Sequence, residues 1–513
     1  MKLNYKRTIL VGFAFFLISA FWQAYDATIP VILTNKFGMS QTWSGVIMAL
    51  DNILAVFMLP MFGALSDKCL GNKFGKRTPF ITIGTIVAAI ALIGLSFVDS
   101  AQLKNISAVS KLDDPAALTV IYDTQAEKEL MTPDGSKFVL SDKFSKEEFA
   151  AIKSTNGEGT NPDYTNYVAP ARQAYAAEVT RANATPLILF VILLLVVLVA
   201  MATFRSPAVA LMPDVTIKPL RSKANAVINL MGTAGGIIVL VLGMVFSTSA
   251  VRNQLMNYTL YYCVIAGIML CALTVFLLTV NEKAWSRQMH DDSIRLGIEE
   301  EKDTEGEHKR GLNASEKRSL IFILASIALW YFGYNAVTSK YAVYAGNILN
   351  MDYNTTLLLA QAAAIVAYLP AGIVASKIGR KKTIMAGVIM LTTAFACASF
   401  LRSGSSVLLM NILFALAGIG WATINVNSFP MVVEMCSGAD IGKYTGFYYT
   451  ASMSAQIVTP MLSGFLMDNM GMRVLFPYAA IFAALAFLTM AMVRHGDAKP
   501  EAKVGLEALD ADD

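Results

Sequence analysis

The chain has 513 residues, of which 55% are hydrophobic and only 15% are charged. A soluble globular protein carries about 25% charged residues, so this composition indicates a protein surrounded by lipid over much of its surface. The formal net charge of +4 is too small to suggest a nucleic-acid partner, and the five cysteines show neither a metal-ligand spacing nor a paired pattern. We therefore expect no metal, no cofactor and no structural disulfide.

Twelve apolar segments are long enough to cross a membrane, since a spanning helix needs about 20 mostly apolar residues. Backbone polar groups must be satisfied internally in lipid, so each segment is expected to be helical. The first could be mistaken for a secretion signal, but it is too long, and Asp26 and Pro30 follow where a cleavage site would be. The predicted spans are 8–33, 42–65, 79–98, 186–212, 224–248, 258–280, 319–345, 355–376, 383–401, 405–433, 444–467 and 473–493.

The distribution of Lys and Arg predicts the orientation. With the N-terminus in the cytoplasm, most of the 41 basic residues fall in cytoplasmic segments, as the positive-inside rule requires. The segment 99–185 is an exception, but long loops are translocated regardless of their charge. We therefore expect a multi-pass protein of the cell membrane with both termini in the cytoplasm.

Two polar insertions interrupt the spans. Residues 281–318 are rich in Glu and Lys and are interpreted as a cytoplasmic linker between a bundle at 1–280 and a bundle at 319–493, with a cytoplasmic tail at 494–513. Residues 99–185 are interpreted as an extracytoplasmic insert between spans 3 and 4. Short amphipathic helices are predicted there at 143–153 and 171–184. The insert forms either a small cap or a solvated spacer.

The two halves repeat one another, which is typical of carriers built from duplicated bundles. In each half an acid ends a span and a base follows nine residues later, and these pairs are Asp214 with Lys223 and Glu434 with Lys443. Counting back nine residues from each acid reaches Arg205 and Asn425. These two side chains are therefore expected at matching depths in matching helices.

A charged loop after span 2 carries the most specific motif. It reads Gly63-x-x-Ser66-Asp67-Lys68-Cys69 and then Phe74-Gly75-Lys76-Arg77-x-Pro79-Phe80-Ile81, and span 4 ends in Arg205-Ser206-Pro207-Ala208-Val209-Ala210-Leu211-Met212-Pro213-Asp214. These motifs resemble the major facilitator superfamily, and within it the sucrose carriers and the glycoside–pentoside–hexuronide:cation symporters. In span 1, residues 24–31 are similar to the acidic, proline-containing stretch of the animal proton-linked sugar carriers. The resemblance implies an all-α fold of twelve transmembrane helices in two six-helix bundles that work by alternating access.

One departure from that resemblance concerns the coupling ion. Melibiose-type sodium symporters carry two aspartates four residues apart on span 2, and the corresponding positions here are Ala55 and Leu59. A hard cation needs several oxygen ligands. The loss of both carboxylates therefore favours proton coupling over sodium coupling.

Ionisable residues inside spans cost roughly 2.5–3.5 kcal/mol each on insertion scales, so they are functional candidates. Asp26 and Asp51 are the predicted proton-coupling residues, because a carboxylate removed from water can be charged in one state and neutral in another. The alternatives are a capping or hydrogen-bonding role near the outer surface for Asp26, a structural hydrogen bond for Asp51 and a structural ion pair for Arg205. Lys340 lies near the outer end of span 7, where it either acts in transport or extends to the interface.

Polar and aromatic side chains cluster at mid-depth in several spans, where they suit sugar hydroxyls and sugar rings. Each of them alone is more often an ordinary packing residue or an interfacial anchor, and only their clustering favours a binding site. The predicted substrate-binding residues are Trp22, Gln23, Arg205, Asn229, Tyr334, Asn335, Gln361, Asn425 and Gln456.

Charged residues at the cytoplasmic helix ends are predicted to form gating pairs that hold the inner side shut and release it when the halves tilt. The alternative is a role in topology alone. This group comprises Asp67, Lys76, Arg77, Asp214, Lys223, Glu434 and Lys443.

These observations favour a monomeric secondary transporter that couples proton entry to uptake of a di- or oligosaccharide across a lipid bilayer. Two alternatives remain open: a carrier of another solute, such as an organic anion, a drug or a lipid-like molecule, and a membrane sensor that transports nothing. The sequence shows no nucleophile–base pair, metal cluster or phosphate loop, so no enzyme activity is expected.

Overall fold

The computed structural model describes residues 3–69, 74–156, 160–217, 220–295, 313–433, 435 and 441–495. These residues form sixteen α-helices and one short hairpin. The helices are α1 (Tyr5–Asn35), α2 (Gln41–Lys68), α3 (Thr78–Asn105), α4 (Pro115–Gln125), α5 (Lys146–Ala151), α6 (Ala169–Ala182), α7 (Thr185–Val215), α8 (Arg221–Val245), α9 (Thr259–Thr279), α10 (Glu282–Arg295), α11 (Ala314–Tyr344), α12 (Tyr353–Ile378), α13 (Arg380–Ala398), α14 (Val407–Val433), α15 (Ile441–Met470) and α16 (Leu475–Ala491); the strands are β1 (Leu130–Met131) and β2 (Lys137–Phe138).

Twelve helices form two six-helix bundles, which confirms the predicted architecture. The first bundle contains α1–α3 and α7–α9, and the second contains α11–α16. Ten of these helices are long and apolar enough to cross a membrane, and α12 and α15, with 26 and 30 residues, complete the bundles. Some helices extend past the predicted spans, as α3 does in reaching Asn105 rather than residue 98, whereas α16 (Leu475–Ala491) is shorter than the predicted 473–493.

Small residues set the helix packing within each bundle. In the first bundle α1 packs on α8 and α3 on α7; in the second α14 packs on both α12 and α13. A Cβ atom at Gly418 would lie 2.1 Å from the Ala360 carbonyl oxygen, and one at Gly235 would lie 2.5 Å from that of Phe16. Because only glycine allows such close backbones, these positions hold the walls of the central cavity together.

The bundles meet mainly along α2 and α15, α8 and α12, and α1 and α11. We call the end of the membrane helices at which 99–185 attaches the insert side, and the opposite end, at which 281–318 attaches, the linker side. On α2, Ser44 is buried near the insert side, whereas Phe57 and Leu65 are exposed towards the linker side. The bundles are therefore closed against each other at the insert side and apart at the linker side.

The insert is a folded unit with its own apolar core. Ile106, Leu118, Phe149 and Tyr164 are fully buried in it. The two predicted helices are confirmed as α5 and α6, while α4 and the β1–β2 hairpin were not predicted. Of the two alternatives for the insert, the packing of three short helices on one another favours a folded cap over a solvated spacer.

The linker contains a helix, α10, that was not predicted. The polar composition of α10 did not indicate a helix. Its Trp285 side chain nevertheless packs against the core of the first bundle. The Arg7 guanidinium carbon lies 4.7 Å from the centroid of the Trp285 ring, and Arg7 Nη2 donates to Gln288 Oε1 at 2.6 Å. The start of the linker is thus fixed to the first bundle.

Candidate functional site

A cavity of about 510 Å³ lies between the two bundles. Ligand pockets are typically about 300–1,000 Å³, so it is large enough for a small organic molecule. Helices α1, α7 and α8 line it from the first bundle and α11–α14 from the second. It contains eight residues that the sequence predicted for the site: Trp22, Gln23, Asp26, Arg205, Asn229, Tyr334, Gln361 and Asn425.

A smaller side chamber of about 200 Å³ adjoins the central cavity and shares Trp22, Asp26 and Arg205 with it. The remaining predicted site residues line this side chamber: Asp51, Asn335 and Gln456. The structure thus brings both predicted proton-coupling aspartates and all nine predicted substrate-binding residues to two adjoining spaces.

The charged residues of the side chamber come from three helices of one bundle. Trp22 and Asp26 are four residues apart on α1 and therefore share a face. The Arg205 guanidinium carbon on α7 lies 6.0 Å from the centroid of the Trp22 ring, within the range of a cation–π contact. Asp51 on α2 accepts a hydrogen bond of 2.8 Å from Asn52 Nδ2. The chamber thus holds two carboxylates and one guanidinium.

Several buried polar atoms have no hydrogen-bond partner among the described residues. They include Trp22 Nε1, Asn335 Nδ2 and Gln361 Oε1. Gln361 Nε2 donates to Gln23 Oε1 at 2.6 Å, so a hydrogen bond crosses the cavity between the bundles. Unpaired buried polar groups are costly, so these atoms favour a bound polar molecule that both donates and accepts.

An aromatic stack forms the wall of the cavity in the second bundle. The Tyr334 and Trp421 rings are nearly parallel, with centroids 3.7 Å apart, and Tyr331 meets Trp421 edge-on at 5.2 Å. Trp421, Thr338 and Tyr368 also line the cavity, and of these Thr338 and Tyr368 were not predicted. Thr338 and Tyr368 lie on α11 and α12, which also carry predicted residues, so a search along these helices would have found them.

The predicted gating residues of the first half form a charge cluster on the linker side. Arg77 is 4% exposed and donates to Ser66, to Asp67 and, at 2.8 Å, to Asp214. Lys76 Nζ lies 3.3 Å from Asp214. These pairs lie within the first bundle and therefore stay intact where the bundles are apart. Of the remaining predicted gating residues, Glu434 and the side chains of Lys223 and Lys443 lie outside the described residues.

Glu282 belongs to this cluster and was not predicted. Its carboxylate accepts from the backbone amides of Lys76, Arg77 and Thr78 at 2.7–3.1 Å and from Thr78 Oγ1 at 2.7 Å. It therefore caps α3, where a negative charge is stabilised by the helix N-terminus. The indication in the sequence was the start of α3, where no neighbouring side chain caps the helix and its first backbone amides need a partner from elsewhere.

Two lysines differ from their expected places. Lys340 does not extend to an interface: it is fully buried and donates from Nζ to the Gln41 carbonyl oxygen at 2.7 Å across the two bundles. Lys36, which lies just beyond the first predicted span, is also fully buried and donates to both oxygens of Asp99 at 2.7 Å. Buried charges require such partners.

Family models match most of the chain. A model described as "Major Facilitator Superfamily" matches residues 174–367 and 353–509, and one described as "MFS/sugar transport protein" matches residues 10–103.

Two curated relatives are each named "MFS-type transporter ppzB". The protein from Metarhizium rileyi is 25% identical over 142 residues, 28% of this chain and 29% of its own length. The protein from Metarhizium majus is 26% identical over 134 residues, 26% of this chain and 29% of its own length. The chain thus matches less than a third of these relatives.

Solved structures share the fold at low sequence identity. The xylose transporter XylE from E. coli in an inward open conformation has a TM-score of 0.56 at 14% identity, covering 99% of each chain. The nucleoside transporter NupG has a TM-score of 0.52 at 13% identity, covering 96% of this chain and 100% of its own. A bacterial homolog of the human lysosomal transporter Spinster, inward-facing and occupied, has a TM-score of 0.59 at 11% identity, covering 96% and 97%.

The family models, the two six-helix bundles and the cavity between them agree. The matched family consists of transporters, in keeping with the expectation that the protein is not an enzyme. The chain is a multi-pass membrane protein that belongs to the major facilitator superfamily.

Proposed function

We propose that the protein is a secondary active transporter that moves a sugar or glycoside together with a proton by alternating access. The observation that carries the proposal is the position of Asp26, which lines both the central cavity and the side chamber that holds Asp51 and Arg205. A titratable group that lines both the substrate space and a chamber with a second carboxylate and a guanidinium can link proton binding to substrate binding.

The lining of the central cavity supports a neutral, hydroxyl-rich substrate. Amide side chains from both bundles, Gln23, Asn229, Gln361 and Asn425, supply donors and acceptors. The flat Tyr334–Trp421 stack supplies an apolar surface of the kind on which a sugar ring packs. Because the Gln23–Gln361 hydrogen bond already joins the bundles, a substrate that replaces it can draw them together.

Proton coupling requires a group that changes charge within the pathway. The three histidines of the chain lie in polar segments at 290, 308 and 495, which leaves the carboxylates of Asp26 and Asp51. Arg205 compensates one carboxylate, so the second is balanced by a proton in the chamber. That proton would enter from one side with the substrate and leave to the other side after the bundles tilt.

Alternating access follows from the closed and open ends of the molecule. If both termini face the cytoplasm, as the Lys and Arg distribution indicates, the structure corresponds to a state open to the cytoplasm. In the opposite state, Arg77, Asp214 and Asp67 would take part in closing the linker side. Import of the sugar with the proton gradient is the direction we propose.

A substrate screen followed by counterflow tests the proposal. Purified protein would be screened by thermal shift against mono- and disaccharides, and the stabilising sugar would be tested for counterflow in proteoliposomes. We expect Trp421→Ala to reduce counterflow at least tenfold by removing the aromatic wall. The matched control is Trp43→Ala, because Trp43 is 63% exposed and outside the cavity. Binding of a sugar without any flux would contradict transport.

Arg205 favours one alternative, a carrier of small organic anions. Its guanidinium lines the cavity and has the geometry to bind a carboxylate in a bidentate manner. The same thermal-shift screen should therefore include monocarboxylates. Stabilisation by an anion, lost in Arg205→Gln and absent for every sugar, would replace the sugar proposal by this one.

A further inference from the structure

The insert is rigidly fixed to the first bundle. Gln102 Nε2 on α3 donates to the Lys36 carbonyl oxygen at 2.9 Å and to Thr180 Oγ1 at 3.0 Å, and Gln173 Nε2 donates to Asn35 Oδ1 at 2.9 Å. Two of these residues, Gln173 and Thr180, belong to α6. The insert therefore moves with α1 and α3 whenever the bundles move.

The tip of the β1–β2 hairpin reaches across to the second bundle. The Met472 backbone amide, in the turn between α15 and α16, donates to the Pro133 carbonyl oxygen at 2.7 Å. Arg473 Nη1 lies 3.5 Å from Asp134 Oδ2. The insert thus holds the turn that follows α15 by a backbone hydrogen bond and an ion pair.

Two glycines allow this crossing. Gly135 and Gly471 both have positive φ angles, of 94° and 85°. A Cβ atom at Gly471 would lie 2.4 Å from the Gly135 nitrogen and 2.6 Å from the Asp134 oxygen. The backbones touch directly here, so the contact depends on the absence of a side chain.

A second crossing lies further along the insert. Thr165 Oγ1 donates to Asn350 Oδ1, in the turn between α11 and α12, at 3.3 Å. The hairpin tip and Thr165 therefore hold two different turns of the second bundle. Neither contact involves a residue that lines the central cavity.

Beneath these contacts lies the closed part of the bundle interface. Asp468, near the end of α15, accepts hydrogen bonds of 2.7 Å from the backbone amides of Gln41 and Thr42 at the start of α2. Opening the insert side requires α15 to leave α2. The turn that follows α15 would then have to leave the hairpin tip as well.

We propose that the insert is a strap between the bundles that favours the state closed at the insert side. It acts on the conformational equilibrium and makes no contact with the substrate. The inference uses the alternating-access part of the proposed function, but it does not depend on the identity of the substrate or the coupling ion.

Electron–electron distance measurements on the full chain test this strap without any ligand. Spin labels would be attached at Arg252→Cys and Val407→Cys in a background without native cysteines, one label on the insert-side end of each bundle. Both positions are exposed. The ratio of the long-distance to the short-distance population reports opening at the insert side.

Gly471→Ala is the decisive variant, and Gly404→Ala is its matched control. Gly404 has a φ of 82°, and a Cβ atom added there would meet nothing within 4 Å, so its substitution carries the same backbone strain without touching the hairpin. We expect Gly471→Ala to raise the long-distance ratio about tenfold, equivalent to about 1.4 kcal/mol, and Gly404→Ala to leave it unchanged. Equal distributions in the two folded variants would overturn the proposal.

A milder variant covers the case in which Gly471→Ala does not fold. The double change Asp134→Ala with Arg473→Ala removes the ion pair but leaves the glycines intact. It should raise the long-distance ratio about two- to threefold, since a partly exposed ion pair contributes only modestly to stability. Loss of sugar transport in any variant does not affect this test. An unchanged ratio in both Gly471→Ala and the double variant would contradict the proposal that the insert is a strap.

Discussion

The insert side and the linker side of the bundle interface are built in different ways. On the insert side, a Cβ atom at Gly464 would lie 2.2 Å from the Gln41 carbonyl oxygen, so α15 and α2 touch through their backbones. On the linker side of the same helix, a Cβ atom at Gly446 would meet nothing within 4 Å. One end of α15 is thus packed on the opposite bundle, and the other end is free of it.

The two sides also place their charges differently. Lys340 and Asp468, on the insert side, bond to the opposite bundle. On the linker side, Arg77 bonds within the first bundle, and Glu282 of the linker helix α10 bonds to that same bundle. An unpaired buried charge is costly. The linker side is open with these charges still paired, whereas opening the insert side must break polar contacts between the bundles.

The largest effect is expected from Asp468→Ala. Its carboxylate accepts from Gln41 N, Thr42 N and, at 2.5 Å, Thr42 Oγ1, and hydrogen bonds to charged groups contribute about 1.5–3 kcal/mol each. We expect the insert side to open more than tenfold more often. The rate at which an impermeant maleimide labels Ser44→Cys, a fully buried interface position, measures this opening.

Asp468→Asn is the control for that change, because it keeps one acceptor oxygen and removes the charge. Its labelling rate should fall between those of the parent and Asp468→Ala. A rate for Asp468→Ala equal to that of the parent would show that the α2 N-terminus does not hold the interface.

The next largest difference is expected between substitutions at two glycines of α15, Gly464 and Gly446. Gly464→Ala forces a methyl group against the Gln41 backbone, and overpacking of this kind costs about 1–3 kcal/mol. Gly446→Ala meets open space and should be neutral or stabilising, since Ala favours a helix over Gly by up to about 1 kcal/mol. Thermal unfolding and Ser44→Cys labelling of both variants would measure the difference; identical results would contradict the described asymmetry.

A smaller effect is expected from the linker-side cluster. Arg77→Lys removes the forked contact to Ser66, Asp67 and Asp214 and should lower the thermal unfolding midpoint. Asp67→Asn should change it much less, because Asp67 is 62% exposed and surface pairs contribute about 0–1 kcal/mol. A greater loss in Asp67→Asn than in Arg77→Lys would reverse this assignment.

The smallest effect concerns pH and the strap. Burial opposes ionisation of Asp134, but hydrogen bonds from Thr132 and Ser136 and the charge of Arg473 outweigh it and lower the pKa of that carboxyl. A lowered pKa means that the contact is present above the ordinary value of about 3.9 and is lost as pH falls through the lowered value. The spin-label distance ratio should therefore stay constant between about pH 5 and pH 8. A marked change in that range would show that another group controls the strap.

The sequence predicted the spans and the polar core of the site because both follow simple physical rules. Long apolar segments must be helices in lipid, and polar residues such as Asp26 and Arg205 are retained there at a cost. Repeat spacing placed Arg205 and Asn425 at matching depths, and both line the central cavity.

The missed features depend on partners far away in the chain. Glu282 caps α3 from a linker helix some two hundred residues later, and Asp468 caps α2 from the last third of the chain. The burial of Lys340 and Lys36 was not predicted, because a single sequence does not show that Gln41 and Asp99 are their hydrogen-bond partners. In the sequence, only the turn-forming residues Pro133 and Gly135 indicate the hairpin that crosses to Met472.

Uptake driven by a pH gradient tests the central claim most directly. Sodium-free proteoliposomes would be supplied with the sugar found in the thermal-shift screen, using the parent chain, Asp26→Asn and the control Asp123→Asn, whose carboxylate is exposed in the insert. We predict accumulation by the parent and by Asp123→Asn, and only equilibration by Asp26→Asn. Accumulation by Asp26→Asn equal to that of the parent, or uptake that needs sodium and ignores the pH gradient, would contradict proton coupling at Asp26.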